Sequence, residues 1–245
     1  MTPQHTIMGI PINSGSMGRL LARIDAWVEV RDAPRVIVSA NAAKLYASRN
    51  DTQLRDALLA ADWVLPDGMG VVWASKGALP ERLSGCDVAE EILACAAERG
   101  WRPYLLGGTP EVIDRAAAAV SARHPTLTLA GYHHGYLTQP TEGDVARSIA
   151  QAAPDVLLIG MGSPRQERFL ARWAATIGAP CSVAVGGTFD VLSGRLKRAP
   201  VAIQRHGLEW AWRSFWEPRR LFSKRFADTV LFACRVAIDR IQNSS

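Results

Sequence analysis

The stretch DVLLIGMGSPRQE, residues 155–167, decides the fold. Its first half is a continuous apolar run, the pattern of a strand buried on both faces of a parallel sheet. Gly160 and Gly162 close the run. Ser163 follows, with Pro164 next and Gln166 three residues on, a capping box that opens a helix expected over 164–177. A strand that passes through a glycine turn directly into a helix is half of a β-α-β unit.

The same alternation extends in both directions. VIVSA (36–40), WVL (63–65), PYLLG (103–107), LTLAG (127–131) and CSVAVG (181–186) read as further strands. Helical patterns lie near 17–30, 51–61, 87–99, 110–123 and 142–152. Asp51 and Thr109 are suited to cap two of them, and Pro110 fits the first helical position after Thr109. The expected fold is α/β and Rossmann-like, a mainly parallel sheet flanked by helices over residues 1–194. Strand patterns stop near residue 195, where a basic, Trp-rich helical appendage (195–245) begins. The chain's 245 residues, 48% of them hydrophobic, suffice for one large domain with such an appendage and exclude a disordered chain.

Charge is concentrated in the appendage. Residues 195–225 hold nine Lys and Arg against Glu209 and Glu217, a net +7, while the remainder sums to −2. Trp210, Trp212 and Trp216 lie in the same segment, and after Pro218 an apolar face of Leu221, Phe222, Phe226 and Val230 recurs at helical spacing. Basic and aromatic residues together suit an anionic headgroup surface. Nucleic acid would also welcome the charge, and a solvated helical face is the plainer reading. No uncharged apolar stretch reaches the roughly 20 residues of a membrane span. The N-terminal MTPQHTIMGIPI lacks the basic start and long apolar run of a signal peptide. Cys86, Cys95, Cys181 and Cys234 are widely separated with no Cys-x-x-Cys pair, as expected of free thiols in a reducing cytosol.

Ligands of open α/β sheets bind beyond the carboxyl ends of the strands. Beyond these strands lie Ser39-Ala40-Asn41, Pro66-Asp67-Gly68, Gly107-Gly108-Thr109, Gly160-Met161-Gly162-Ser163 and Gly186-Gly187-Thr188-Phe189-Asp190. Small and polar residues thus converge on one rim beside helix N-termini that favour anions, and a phosphate-bearing ligand is the natural inference. The chain has no GxxxxGK[ST] loop, and Gly160-x-Gly162 lacks the third glycine of the dinucleotide fingerprint. HExxH, metal-ligand Cys/His spacing and an Asp-x-Asp pair are also missing, so no metal and no cofactor is expected. His133-His134 reads as loop. Individually, Pro66-Asp67-Gly68 is a turn, Gln166 a cap, Arg82 a surface arginine and Asp190 a helix cap.

Their joint order resembles the WecG/TagA/CpsF family of bacterial glycosyltransferases, glycosyltransferase family 26. Besides the rim elements, the match includes Glu81-Arg82-Leu83-Ser84-Gly85-Cys86-Asp87, the whole of Gly160 to Glu167, Gly194-x-x-x-Arg198-Ala199-Pro200 and Gly207-Leu208-Glu209-Trp210 with Arg213, Glu217-Pro218 and Arg219-Arg220. The resemblance implies transfer of a sugar from a UDP-sugar to a hydroxyl of a polyprenyl-diphosphate-linked saccharide, with inversion and without a required metal. It implies Asp67 as general base and Asn41, Arg82 and Gln166 in the substrate pocket. Ser39 stands where the family usually has Thr, keeping the hydroxyl, and Asp190 joins the substrate-binding set. Arg213, Arg219, Arg220 and Arg225 are assigned to the acceptor diphosphate or the membrane. The implied location is the cytoplasmic face of the inner membrane, held peripherally, with an anionic lipid surface rather than nucleic acid as partner; a homo-oligomer is compatible. Two alternatives stay open on residues alone: a nucleotide-sugar-modifying enzyme without a lipid acceptor, and a non-catalytic binding module.

Overall fold

The computed structural model describes residues 3–200, 203, 212 and 224–242. The chain opens with an antiparallel hairpin, β1 (Gln4–Ile7) and β2 (Ile10–Asn13), followed by α1 (Met17–Val30). Then come β3 (Arg35–Ala40), α2 (Ala42–Ala47), α3 (Thr52–Leu59), β4 (Trp63–Pro66), α4 (Met69–Ala74) and α5 (Gly85–Arg99). The second half runs β5 (Pro103–Gly107), α6 (Pro110–Arg123), β6 (Gly131–His133), α7 (Gln139–Ala152), β7 (Val156–Gly160), α8 (Arg165–Ile177), β8 (Cys181–Ala184) and α9 (Thr188–Leu192). A last helix, α10, spans Lys224–Gln242.

Strands β3 to β8 form one sheet in the order β4-β3-β8-β7-β5-β6, with every neighbouring pair parallel. The expected α/β architecture is therefore present. All strand ends point to one rim; β3 and β7 connect to their neighbours on one side, β4 and β8, and β5 to its neighbour on the other, β6, so the topological switch point where such sheets open a crevice lies between β7 and β5. Strand residues alternate between two cores. Ile37, Leu105, Leu158 and Val183 face the layer of α1, α5 and α6. Val38, Leu106, Ile159 and Ala184 face the layer of α2, α3, α7 and α8. Burial on both faces is why these strands are apolar without interruption.

Asp51 and Thr109 cap α3 and α6, accepting from Leu54 N at 3.0 Å and Val112 N at 3.3 Å. The capping box expected at Ser163 is not formed. Helix α8 starts one residue later with Pro164 as its N-cap, and the Gln166 side chain is directed elsewhere. The strand expected over 127–131 is also displaced: pairing with β5 begins only at Gly131. Leu127 drives its side chain into the core from a loop, and Gly131 lies so close to the Tyr104 ring that a β-carbon there would sit 2.7 Å from it. His133, expected in a loop, closes this edge strand. The four cysteines are free thiols.

Helix α10 packs along α2. Among its described side chains Asp228 and Phe232 are buried and Val236 is half-buried, whereas Val230, expected on the apolar face, is 45% exposed. The inward stripe is thus rotated from the expected one; Leu221 and Phe222 lie outside the described residues. No described helix is long and apolar enough to cross a membrane.

Candidate active site

The floor of the site is built where β3, β7 and β8 end. Asn41 caps α2, its Oδ1 accepting from Lys44 N at 3.0 Å. One turn on, the Lys44 ammonium is driven under the sheet edge, where it donates to Ser39 Oγ at 3.1 Å and to Glu167 Oε1 at 2.8 Å. Glu167 Oε1 also accepts from Gln166 Nε2 at 3.0 Å, and Gln166 Oε1 accepts from Gly186 N at 3.2 Å. Ser39, Lys44, Gln166 and Glu167 are all buried. Burial alone would push the Glu167 carboxyl up, but the charge and hydrogen bond of Lys44, with the Gln166 amide, outweigh it and hold the group below its ordinary value.

One wall is charged and more open. Asp87, in the first turn of α5, accepts from Ser84 Oγ at 2.6 Å and from Arg82 at 3.2 Å. It also accepts from Arg198, which reaches Glu90 at 3.2 Å. Partial burial would lower the Arg198 pKa, yet the hydrogen bond and charge of Asp87 raise it above its usual value. Nearby, Arg195 pairs with Asp190 at 3.1 Å.

Asp67 stands between floor and wall. Its backbone N–H donates to Ala40 O at 2.9 Å, and Leu83 N donates to Pro66 O at 2.9 Å, so the turn after β4 is tied on both sides. Gly68 takes φ +99°, which lets the chain turn directly from Asp67 into α4. On the other side, the strand ends meet backbone to backbone. A β-carbon at Gly160 would lie 2.6 Å from Gly186 O, and one at Gly107 2.4 Å from Gly160 O. Glycine is required here, and it leaves a rim of bare peptide groups.

These parts enclose a cleft of about 1690 Å³, larger than the roughly 300–1,000 Å³ that one small ligand occupies. Ser39, Asn41, Asp67, Arg82, Gln166 and Asp190 all line it. The structure brings together every sequence candidate that it describes. Arg213, Arg219 and Arg220, and the side chain of Arg225, lie outside the described residues. Lys44, Glu167, Asp87, the exposed rings of Trp73 and Tyr136, and Thr229 and Ala233 of α10 also line the cleft or support it without being singled out in the sequence as site residues, and Arg195 of the basic segment and Phe226 of the expected apolar face line it too. Glu167 and Asp87 carried a signal, each closing a stretch that resembles the family, Gly160 to Glu167 and Glu81 to Asp87. Among the described residues no group of three or more His, Cys, Asp or Glu could hold a metal ion.

The model of the Glycosyl transferase WecG/TagA/CpsF family matches residues 5–245. The chain belongs to this glycosyltransferase family. It is 33% identical over 234 residues to an N-acetylglucosaminyldiphosphoundecaprenol N-acetyl-beta-D-mannosaminyltransferase of Bacillus subtilis (strain 168), covering 93% of this chain and 91% of that protein. A protein of the same description from Bacillus spizizenii (strain ATCC 23059 / NRRL B-14472 / W23) is 34% identical over 187 residues, 75% of this chain and 72% of its own length. The family match runs through the appendage, so 195–245 is part of the family's sequence pattern.

Proposed function

We propose that the cleft moves N-acetylmannosamine from its UDP-linked form to a hydroxyl of a polyprenyl-diphosphate-linked saccharide, with inversion at the anomeric carbon. The observation that carries this reading is similarity along nearly the whole of the Bacillus subtilis relative, combined with a cleft lined by the Asp67 carboxylate at a strand end, by glycine peptide groups and by arginines. Asp67 takes the proton of the acceptor hydroxyl as its oxygen attacks the anomeric carbon. The bond from that carbon to the diphosphate breaks, and UDP departs with the electron pair. Arg82, Arg195 and Arg198 neutralise the departing diphosphate, helped by peptide N–H groups at the glycine rim. Ser39, Asn41, Gln166 and Asp190 orient the substrates. Trp73, 57% exposed, and Tyr136, 66% exposed, offer ring faces to a sugar or base. The basic segment 195–225, with Arg213, Arg219, Arg220 and Arg225, holds the enzyme peripherally on the anionic cytoplasmic leaflet, where the acceptor resides.

A UDP-release assay in excess EDTA tests this, with UDP-linked N-acetylmannosamine, N-acetylmannosaminuronic acid and glucose each offered with a polyprenyl-diphosphate-linked N-acetylglucosamine in anionic vesicles. Turnover is expected with the first donor, only with the acceptor present, and lower on neutral vesicles or at high salt. Acceptor-independent UDP release would favour a nucleotide-sugar-modifying enzyme instead, and activity that requires added Mg²⁺ or Mn²⁺ would overturn the arginine account.

A further inference from the structure

The polar atoms of the cleft floor share one property. Ser39 Oγ accepts from Lys44 Nζ, so its own proton is left to donate. Asn41 Oδ1 is taken by the Lys44 backbone N–H, so its Nδ2 keeps two protons to donate. Gln166 Oε1 is taken by Gly186 N–H, and Nε2 gives one proton to Glu167 and keeps the other. The Gln166 amide cannot be turned over, because Glu167 Oε1 only accepts and Gly186 N–H only donates. The oxygens of Ser39, Asn41 and Gln166 are each engaged from below, Glu167 Oε2 is buried without a hydrogen-bond partner, and what the first three side chains still offer the cleft is a set of donors. Two of these settings, Ser39 and Gln166, depend on one ion pair, Lys44 with Glu167, whose side chains are 4% and 0% exposed.

We propose that Lys44 and Glu167 are positioning residues that fix the Ser39 hydroxyl and the Gln166 amide as hydrogen-bond donors to the UDP moiety of the donor substrate. Neither needs to touch that substrate. The ammonium takes the Ser39 lone pair, and the carboxylate takes one Gln166 proton while neutralising the ammonium. This proposal rests on the reading that UDP binds in this cleft.

A neutral double variant, Lys44→Met/Glu167→Gln, separates positioning from structural support. It removes both charges together, so no unpaired ion is left buried and the net charge near the ligand is unchanged. UDP affinity is measured by calorimetry and stability by thermal melting. The single Lys44→Met protein should melt well below wild type, and the double variant should recover most of that loss. If the pair positions donors, the folded double variant still binds UDP about 5- to 10-fold more weakly, the worth of roughly one hydrogen bond. The same replacements in a Ser39→Ala background should cost clearly less, while a Ser39→Thr background, which keeps the hydroxyl, should show the full loss. Wild-type UDP affinity in the stable double variant, or equal losses in the Ser39→Ala and Ser39→Thr backgrounds, overturns the positioning role and leaves the UDP reading intact. Failure of the wild-type protein to bind UDP overturns both.

Discussion

The floor and the wall of the cleft both hold arginine or lysine against carboxylates, yet they are built for opposite purposes. On the floor, Lys44 and Glu167 are shut away from water, and the ammonium's partners are Ser39 and Glu167. On the wall, the Arg198 and Asp87 side chains are 23% and 30% exposed, and Arg195 is 57% exposed. A buried pair is fixed: its members lost their hydration on folding, and separating them leaves a bare charge in a poor solvent. A pair open to water separates at little cost, because solvent replaces the partner. Wall arginines can therefore exchange Asp87, Glu90 or Asp190 for a diphosphate, whereas the floor lysine cannot. One region holds geometry and the other supplies mobile charge.

The largest effect is expected at the residue that belongs to neither region. Asp67→Asn keeps the shape of the turn after β4 and its backbone tie to Ala40, but cannot take a proton. Its kcat should fall about 10²–10⁴-fold, the usual worth of a general base, with UDP affinity and melting temperature unchanged. Steady-state turnover beside calorimetry checks this. Near-wild-type turnover would remove Asp67 from catalysis and move the chemistry to one of the two charged regions.

The next comparison sets floor against wall directly. Lys44→Met strands the Glu167 carboxylate and should cost about 3–5 kcal/mol of stability. In a chain of this size each kcal/mol lowers the melting temperature by about 2–4 °C. Arg198→Met breaks pairs with Asp87 and Glu90 that are open to water, and should cost about 0–1 kcal/mol, while weakening UDP binding in a salt-dependent way. Thermal melts and calorimetry at low and high salt read both. Equal destabilisation by the two variants would erase the distinction drawn between the regions.

The sequence made the residues that face the cleft far easier to read than the buried pair that supports them. Asp67, Asn41 and Ser39 follow apolar runs, and Gln166 sits beside a glycine turn, so strand ends and a family likeness were enough to place them. Lys44 and Glu167 are separated by 123 residues. Their contact exists only because β3 and β7 flank β8 in the sheet, an order that periodicity does not reveal. A single lysine in the six-residue α2 reads as surface. Gln166 was found for a partly wrong reason, since Ser-Pro-x-Gln has the spacing of a capping box while the structure uses the amide to tie α8 to the backbone after β8. The last helix was legible as a helix but not in its phase. Phe226 and Val230 looked like an inward stripe, yet Phe232 and Asp228 face the body, because the groove against α2 and not the helix alone selects the buried side.

The smallest expected effect concerns where on the pH axis the floor pair lets go. Glu167 has its folded pKa held below the ordinary value of 4.5 by Lys44. A carboxyl depressed by folding contributes stability that is present above its unfolded pKa and is lost as pH falls through the folded one. The melting-temperature gap between wild type and Glu167→Gln should therefore stay constant from pH 7 to about pH 5. It should narrow only below 4.5, as wild type acquires a neutral side chain above Lys44 like that of the variant. Every other carboxylate is common to the two proteins and cancels from the difference. Two forces oppose each other at this carboxyl, burial raising its pKa and the ammonium lowering it, and the sign of the gap's pH dependence says which one wins. A gap that closes between pH 7 and pH 5 would put burial ahead of the ammonium. The floor would then be a protonation switch rather than a fixed platform, and its contrast with the wall would have to be redrawn.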